Sequence, residues 1–193
     1  VLETGEKMSL AIVRSRAGNG LAAPEVGVEV HLSNGLPSFS IVGLPEAAVR
    51  ESRERVRSAL LNSGFDFPAR RITVNLAPAD LPKEGGRFDL PIALGILAAS
   101  EQLPAACLDE LECFGELGLS GELRPVHGML AAALAAARRG RKLVLPAGNA
   151  QEGALVTGAT LLPAEHLAEL TAYLSGKETL VSEKPVPFQP DDT

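Results

Sequence analysis

The sequence predicts one domain of the α/β or α+β class, built on a mixed β-sheet with helices packed on it. Residues 9–17 and 25–33 alternate between apolar and polar side chains, which is the pattern of half-buried strands. Residues 126–139 are rich in alanine and carry no helix breaker after Gly128, which indicates a helix. Along the chain the predicted elements follow the order β-β-β-α-β-α-β-β-α-β-α, and this order favours a mixed sheet.

The first half of the chain opens with a polar segment, residues 1–7, which we expect to be an expression tag or an alternative start. After the two alternating strands, Asn34-Gly35 supplies residues that tolerate positive φ. This pair predicts a hairpin into a third strand at residues 39–42. A helix over about residues 45–62 follows and ends near Gly64, a favourable C-cap residue.

The second half supplies the remaining strands and helices. Residues 72–76 predict a buried strand, and residues 90–99 predict an apolar helix. The other predicted elements are a helix at 105–111, strands at 113–117, 122–124, 142–145 and 161–162, and a last helix at 163–174. From residue 176 onward the chain is polar and rich in proline, so residues 176–193 are expected to form a linker. The domain itself then spans residues 8–175.

Composition limits the class of protein. Of the 193 residues 46% are hydrophobic and 22% are charged, so the chain can bury a core, although aromatic residues make up only 4%. No apolar run approaches the roughly 20 residues that cross a bilayer, and no secretory signal is evident. Two cysteines do not make a disulfide framework or a metal site. We therefore expect a cytoplasmic protein with reduced thiols, no metal and no membrane contact.

The net charge of −6 arises mainly at the C-terminal end. Residues 8–150 contain 15 Lys or Arg and 15 Asp or Glu, whereas residues 151–193 contain seven acidic and two basic residues. The overall charge therefore neither requires nor excludes a nucleic-acid partner, and only the distribution of the basic residues bears on it.

Three groups of basic residues are candidates for binding DNA or another anion. The first is a stripe on the predicted helix, where spacings of three and four place Arg50, Arg53 and Arg57 on one face. The other two groups are Arg70 and Arg71 and, near the end of the alanine-rich helix, Arg138, Arg139, Arg141 and Lys142. Groups that share one face of the fold would follow phosphates without base specificity.

A structural interpretation of these groups is equally open. Glu46 lies four residues before Arg50, and Glu51 lies four residues before Arg55. The stripe is therefore also consistent with a solvated helix face that contains internal ion pairs. For the last group, the dipole favours cations near the C-terminus of a helix.

The loop before the apolar helix combines Lys83, the Gly85-Gly86 pair and Arg87, and Asp89 follows near the helix start. Such a loop at a helix start can hold an anion, whereas a tight turn is the simpler role for a glycine pair. No Gly-x-x-x-x-Gly-Lys-Ser/Thr sequence occurs, so the chain has no P-loop for ATP hydrolysis. The three histidines lie far from one another and from any serine or cysteine motif, so nothing supports a catalytic triad.

Four segments carry a resemblance to a known family. They are GLPSFSIVGLPE at residues 35–46, ERVRSALLNSGF at 54–65, ITVNLAPADLPKEGGRFDLP at 72–91 and GELGLSGELRP at 115–125. Together these segments resemble the N-terminal region of the ComM/YifB family, the magnesium-chelatase-like AAA+ ATPases. The resemblance extends over residues 8–175.

The resemblance implies the fold of the Lon proteolytic domain, which the C-terminal domain of RadA, the GHMP kinases and the second domain of a small-subunit ribosomal protein share. It also implies a longer parent protein, in which residues 176–193 lead to an AAA+ motor domain that binds ATP and Mg²⁺. The family's role is DNA processing by a hexameric, ATP-driven helicase that promotes branch migration during natural transformation. The present chain would then need no cofactor of its own. Its partners would be its own motor domain, neighbouring protomers and DNA.

Comparison with Lon bears on catalysis. Lon uses a serine–lysine dyad, and aligning residues 83–85 with the corresponding Lon segment places Arg87 at the serine position. Aligning residues 127–129 places Leu130 at the lysine position. Arginine cannot form an acyl intermediate and leucine cannot act as its base, so the resemblance implies that the chain is not a protease.

These observations lead to one main hypothesis and two alternatives. The main hypothesis is a non-catalytic, Lon-like N-terminal domain that helps its parent to bind DNA, to assemble, or both. The first alternative is a pure oligomerisation module without DNA contact, whose contacts would come from the alanine-rich helix and the Gly35 hairpin. The second alternative is a divergent Lon-like hydrolase, which Arg87 and Leu130 disfavour.

Overall fold

A computed structural model describes residues 9–18 and 20–177 and confirms the predicted mixed α/β class. The predicted start, residues 1–7, and residues 178–193 of the predicted linker lie outside the described residues. The strands are β1 Ser9–Arg16, β2 Glu25–Ser33, β3 Ser38–Val42, β4 Arg71–Ala77, β5 Leu111–Cys113, β6 Glu116–Leu117, β7 Leu123–Arg124, β8 Lys142–Pro146 and β9 Thr160–Ala164. Seven of them form one mixed sheet in the order β3-β4-β2-β1-β5-β8-β9, and β6 pairs with β7 separately.

Six helices accompany these strands in the described residues. They are α1 Ala47–Arg50, α2 Ser52–Asn62, α3 Asp89–Ala99, α4 Met129–Arg138, α5 Ala150–Ala154 and α6 Leu167–Leu174. Two 3-10 turns, Ala105–Leu108 and Ala147–Asn149, complete the fold.

Helix α3 forms the centre of the core. All of its residues are buried, because its sequence is apolar on nearly every side, and it packs on β1 and β2. A Cβ atom added at Gly95 would stand 2.5 Å from Cγ2 of Val30 in β2. Glycine at this position therefore allows the helix and the sheet to approach closely.

The predicted hairpin at Asn34-Gly35 is wrong. β2 pairs antiparallel with both β1 and β4, whereas β3 pairs parallel with β4 at the edge of the sheet. Because β4 occupies the edge of β2, the chain after Asn34 crosses over to the far side of β4. Gly35 does adopt a positive φ of 140°, so the local turn signal was sound, although it carried no information about the pairing.

Other element boundaries also differ from the predictions. The helix predicted over about residues 45–62 is divided into α1 and α2 at Glu51, and the strand predicted at 113–117 is divided between β5 and β6. Pro163 belongs to β9, an edge strand that tolerates proline, and not to the last helix. The 3-10 turn and short helix α5 within residues 147–154 were not predicted.

Within residues 9–18 and 20–177, which the structure describes, no helix is both long and apolar enough to span a bilayer. In the same part of the chain no three His, Cys, Asp or Glu side chains gather as metal ligands. Cys107 and Cys113 are free thiols, and burial raises the pKa of both.

Candidate functional site

The loop that resembles the nucleophile segment of Lon ends on a buried ionic network. Asp89 is fully buried and accepts hydrogen bonds from Arg55 Nε at 2.7 Å, Arg55 Nη2 at 3.1 Å and the Leu117 amide at 3.0 Å. The Ser52 hydroxyl donates to the same carboxylate. Hydrogen bonding to Asp89 raises the pKa of the Arg55 guanidinium above its usual value. The network joins α2, α3 and β6, so Asp89 has a structural role.

Lys83 was predicted to bind an anion, but its side chain is fully buried. Its ammonium group donates to the backbone carbonyl of Gly43 at 2.6 Å and to that of Pro78. Burial lowers the pKa of this group. Lys83 fastens the loop to the end of β3 and does not belong to an anion-binding surface.

Arg87 also turns inward, with only 7% of its surface exposed. Its guanidinium donates to the carbonyl of His127 at 2.5 Å and to the carbonyl of Arg16 at 3.4 Å. A Cβ atom added at Gly18 would stand 2.6 Å from Arg87 Nη2, so the chain packs tightly around the guanidinium. Burial lowers the pKa of Arg87. This side chain joins the loop after β1 to the turn before α4, and a surface ligand cannot reach its charge.

The second position implied by the comparison with Lon is held by Leu130. It lies in the first turn of α4, and 44% of its surface is exposed. Its amide donates to the Glu152 carboxylate at 3.0 Å, which places a negative group at the positive end of the helix. Neither Arg87 nor Leu130 therefore offers a nucleophile or a base at these two positions.

The predicted arginine stripe does lie on the surface, at the junction of α1 and α2. Arg53 Nε donates to the carbonyl of Arg50 at 3.1 Å, and Arg53 Nη1 donates to the carbonyl of Phe39 in β3 at 3.3 Å. The Arg57 guanidinium carbon lies 5.5 Å from the centroid of the Phe67 ring, within the range of a cation–π contact. The stripe therefore borders the edge strand of the sheet.

A groove of about 480 Å³ lies between α2, β3 and the segment before β4. We define the Arg–Phe groove by the five residues that carry its charge and aromatic surface: Phe39, Arg53, Arg57, Phe67 and Arg70. The acidic residue in its lining is Glu54. Neither phenylalanine was predicted from the sequence. An aromatic residue close to basic residues, as Phe67 is to Arg70, was a usable signal for such a site.

Ion pairing separates five of the described arginines from the other eight, which include the buried Arg87 and the exposed Arg138 and Arg139. The five that pair with carboxylates are Arg14, Arg16, Arg55, Arg124 and Arg141. Within the described residues, no ion pair involves Arg50, Arg53, Arg57, Arg70 or Arg71. These five lie at or beside the groove.

The two ion pairs predicted for the helical stripe behave differently. Glu51 pairs with Arg55 at 3.8 Å, as predicted. The Glu46 carboxylate instead accepts a hydrogen bond from the Gly85 amide at 3.0 Å, which leaves Arg50 without this carboxylate.

Arg70 and Arg71 precede and begin β4, and the structure brings them to the same corner of the sheet as the stripe. Arg70 donates from Nη1 to the Ser9 hydroxyl at 3.2 Å and from Nη2 to the Leu32 carbonyl at 3.3 Å. Its Nε is buried and has no hydrogen-bond partner among the described residues. Arg71 is exposed.

The third basic group lies elsewhere. Arg138, Arg139 and Lys142 are exposed near the end of α4 and the start of β8. Arg141 is used internally, because it donates to Glu25 at 2.9 Å and to the buried Glu112 at 3.2 Å. Four strand spacings, roughly 19 Å, separate β4 from β8, so this group does not converge with the groove.

The fold and these motifs define a magnesium-chelatase-like domain. The model of the family described as subunit ChlI of Mg-chelatase matches residues 28–149, and the chain belongs to this family.

Individual relatives agree with the resemblance seen in the motifs. The chain is 54% identical to protein YifB of Escherichia coli K12, over 92% of this chain and 35% of that protein. It is 57% identical to competence protein ComM of Haemophilus influenzae, over 90% of this chain and 34% of that protein. A Lon protease of Rhizobium meliloti is 26% identical over 80% of this chain and 21% of its own length, which supports the Lon-like fold weakly. The chain thus spans about a third of the length of the YifB and ComM relatives.

Proposed function

We propose that this chain is the non-catalytic N-terminal domain of a ComM-type, magnesium-chelatase-like AAA+ ATPase, and that it contacts DNA at the Arg–Phe groove. One observation carries the proposal. Five arginines cluster at this corner of the fold without a carboxylate partner within the described residues. Guanidinium groups bind phosphate strongly, so unpaired arginines on the surface suit a polyanion.

Family membership supports the wider setting. One relative carries the name competence protein, and we propose that the parent of this chain also acts in natural transformation. It would be a hexameric, ATP-driven helicase that promotes branch migration in the cytoplasm. ATP and Mg²⁺ would bind to its AAA+ domain, which residues 176–193 would connect to the domain at residues 8–175.

The non-catalytic character rests on the two positions equivalent to the Lon dyad. Arg87 is buried and bonded to main-chain carbonyls, and Leu130 is apolar. A hydrolase of the Lon type needs a nucleophile and a base at these positions.

Salt-dependent DNA binding tests the proposal. We would measure the affinity of the chain for a fluorescently labelled oligonucleotide at several salt concentrations. The test variant replaces Arg50, Arg53 and Arg57 with glutamine. The matched control replaces Arg138, Arg139 and Lys142, which removes the same charge from the other basic group.

We expect the logarithm of the binding constant to fall with the logarithm of the salt concentration at the same slope in the original chain and the control. The test variant should bind more weakly, with a slope smaller by about 2, because each of the three positive charges removed beside a single strand contributes about 0.7. If both variants lose the same DNA affinity, net charge alone explains the loss, and the groove is not the DNA site.

A second candidate function is assembly through α4. Leu130 and Leu134 lie one helical turn apart and are 44% and 42% exposed, which gives α4 an apolar outer stripe. The Gly35 segment, which the sequence analysis also assigned to assembly, is not a hairpin, although Leu36 beside it is exposed.

Sedimentation of the parent protein tests this role. If α4 forms a protomer contact, replacing Leu130 and Leu134 with serine should reduce the hexamer population. Replacing the exposed Leu61 of α2 provides an apolar control outside this stripe. If the variant at Leu130 and Leu134 still forms the hexamer, α4 does not belong to the interface.

A further inference from the structure

The Arg–Phe groove contains an aromatic stack as well as charge. The ring centroids of Phe39 and Phe67 are 5.8 Å apart with an interplanar angle of 30°, and Arg57 lies over the Phe67 ring. Both phenylalanines are partly buried and pack against the core, so their rings are held in place. Arg57 is exposed and lines the groove.

Such a stack suits an unpaired base. Aromatic rings and guanidinium planes stack with all four bases, because each base has a π-face. In a duplex the bases are already stacked on one another, and mainly phosphates would reach this surface. The groove volume of about 480 Å³ falls in the range of roughly 300–1,000 Å³ that binds small organic groups.

The charges around the stack suit the backbone on either side of that base. Arg53 and Arg70 line the groove beside Arg57, and the acidic residue Glu54 only partly offsets their charge. Hydrogen bonds to the carbonyls of Phe39 and Leu32 fix the directions of the Arg53 and Arg70 side chains. Two oriented guanidinium groups can therefore hold phosphates without recognising sequence.

We infer that the Arg–Phe groove is a site for single-stranded DNA, in which an unpaired base stacks on the Arg57–Phe67 pair while Arg53 and Arg70 hold the flanking phosphates. This inference rests on the proposed function and adds a ligand class to it. The groove selects single strands over duplexes and is indifferent to base sequence.

The test compares three probes of about 15 nucleotides: an oligothymidylate, an abasic strand of equal charge, and a duplex. Phe67→Leu keeps an apolar side chain but removes the ring face. Phe65→Leu is its matched control, because Phe65 also packs on the core but does not line the groove. Arg57→Lys keeps the charge and removes the guanidinium plane at an exposed position, so it tests the stack even if Phe67→Leu folds poorly.

The oligothymidylate is expected to bind at least about fivefold more tightly than the abasic strand and the duplex. Phe67→Leu and Arg57→Lys should abolish this advantage, and Phe65→Leu should retain it. Equal affinity for the oligothymidylate and the abasic strand would overturn the inference but leave the proposed DNA contact intact. Loss of all salt-dependent binding to the three probes would overturn both. An oligoglutamate of the same charge also serves as a competitor. If it displaces the labelled oligothymidylate as well as unlabelled oligothymidylate does, the groove suits an acidic protein partner, and the inference is overturned.

Discussion

Arg55 holds two carboxylates in very different surroundings. Asp89 is fully buried, whereas the Glu51 side chain is 72% exposed. We expect Asp89→Asn to lower the free energy of unfolding by about 3 kcal/mol, because it leaves a guanidinium near the core without its counter-charge. Glu51→Gln is the matched control and should cost less than about 1 kcal/mol. Urea unfolding followed by circular dichroism measures both, and similar losses would contradict the importance of burial.

Glu122 provides a pH-sensitive residue in the β6–β7 hairpin. Hydrogen bonds from the Ser120 hydroxyl, its own backbone amide and Arg124 lower the pKa of the Glu122 carboxyl to about 2. Because the pKa is lowered by folding, the stabilisation is fully present above the ordinary value of 4.5 and is lost as the pH falls towards about 2. An NMR titration should show a midpoint near 2, and Ser120→Ala should raise it. A midpoint near 4.5 in the unchanged chain would contradict this assignment.

Single residues also show where sequence reasoning about the site fails. Lys83 and Arg87 were assigned to an anion-binding loop because they flank a glycine pair at the start of a helix. Their actual partners are main-chain carbonyls from distant segments, such as Gly43 and His127. Carbonyl groups are present at every residue, so the sequence carries no signal for such contacts.

Helix α3 shows how one atom sets the distance between two elements. Alanine favours a helix over glycine by about 1 kcal/mol, yet a Cβ atom at residue 95 would press on Val30. We expect Gly95→Ala to lower the free energy of unfolding by about 1–2 kcal/mol, because overpacking outweighs propensity.

A double-mutant cycle isolates this contact. In a Val30→Ala background the space for the new methyl group is available, so Gly95→Ala should become neutral or stabilising. Chemical denaturation of the four proteins gives the coupling energy. The same loss in both backgrounds would show that the close approach to Val30 is not its cause.

Elements with strong periodicity were predictable, and their neighbours in the sheet were not. Alternation located β1 and β2, and a long apolar run located α3. The turn residues after β2 predicted a hairpin, but β4 pairs with β2 over seven residues and displaces β3 to the edge. Turn residues do not determine which distant strand pairs with an edge, so the strand order could not be predicted from the sequence.

At the scale of the whole molecule, the arginines that pair with carboxylates stabilise the fold, whereas the exposed arginines beside the groove that make no ion pair are available to a ligand. Replacing Arg50, Arg53 and Arg57 with glutamine should lower Tm by less than about 8 °C, since exposed substitutions each cost little and the loss is about 2 kcal/mol at most. An oligothymidylate at about 100 times its Kd should raise Tm of the original chain by about 5–10 °C. Differential scanning fluorimetry would measure both effects.

The variant that lacks Arg138, Arg139 and Lys142 serves as the control in this experiment. It should keep the rise in Tm that the oligonucleotide produces, whereas the variant without the three stripe arginines should lose most of it. An equal rise in both variants would place the ligand elsewhere on the molecule.

The groove itself could be predicted only in part. The basic residues of α2 and of the segment before β4 were identified in the sequence. Their convergence depends on the parallel pairing of β3 with β4. This pairing places the ring centroids of Phe39 and Phe67 5.8 Å apart. A site assembled from three segments requires the topology, and periodicity alone does not provide it.

The central position of β1 in the sheet also determines the order in which the chain can fold during synthesis. β1, β2, β3 and β4 can pair as soon as Ala77 is available, but the other edge of β1 stays open until β5 is made. Arg16 and Glu112, which join across this seam, are 96 positions apart in the sequence. We expect this closure to be late and slow, because long-range pairing requires the closure of a large loop. During that interval a nascent chain exposes an unpaired strand edge, which is the feature that chaperones shield and that aggregation exploits.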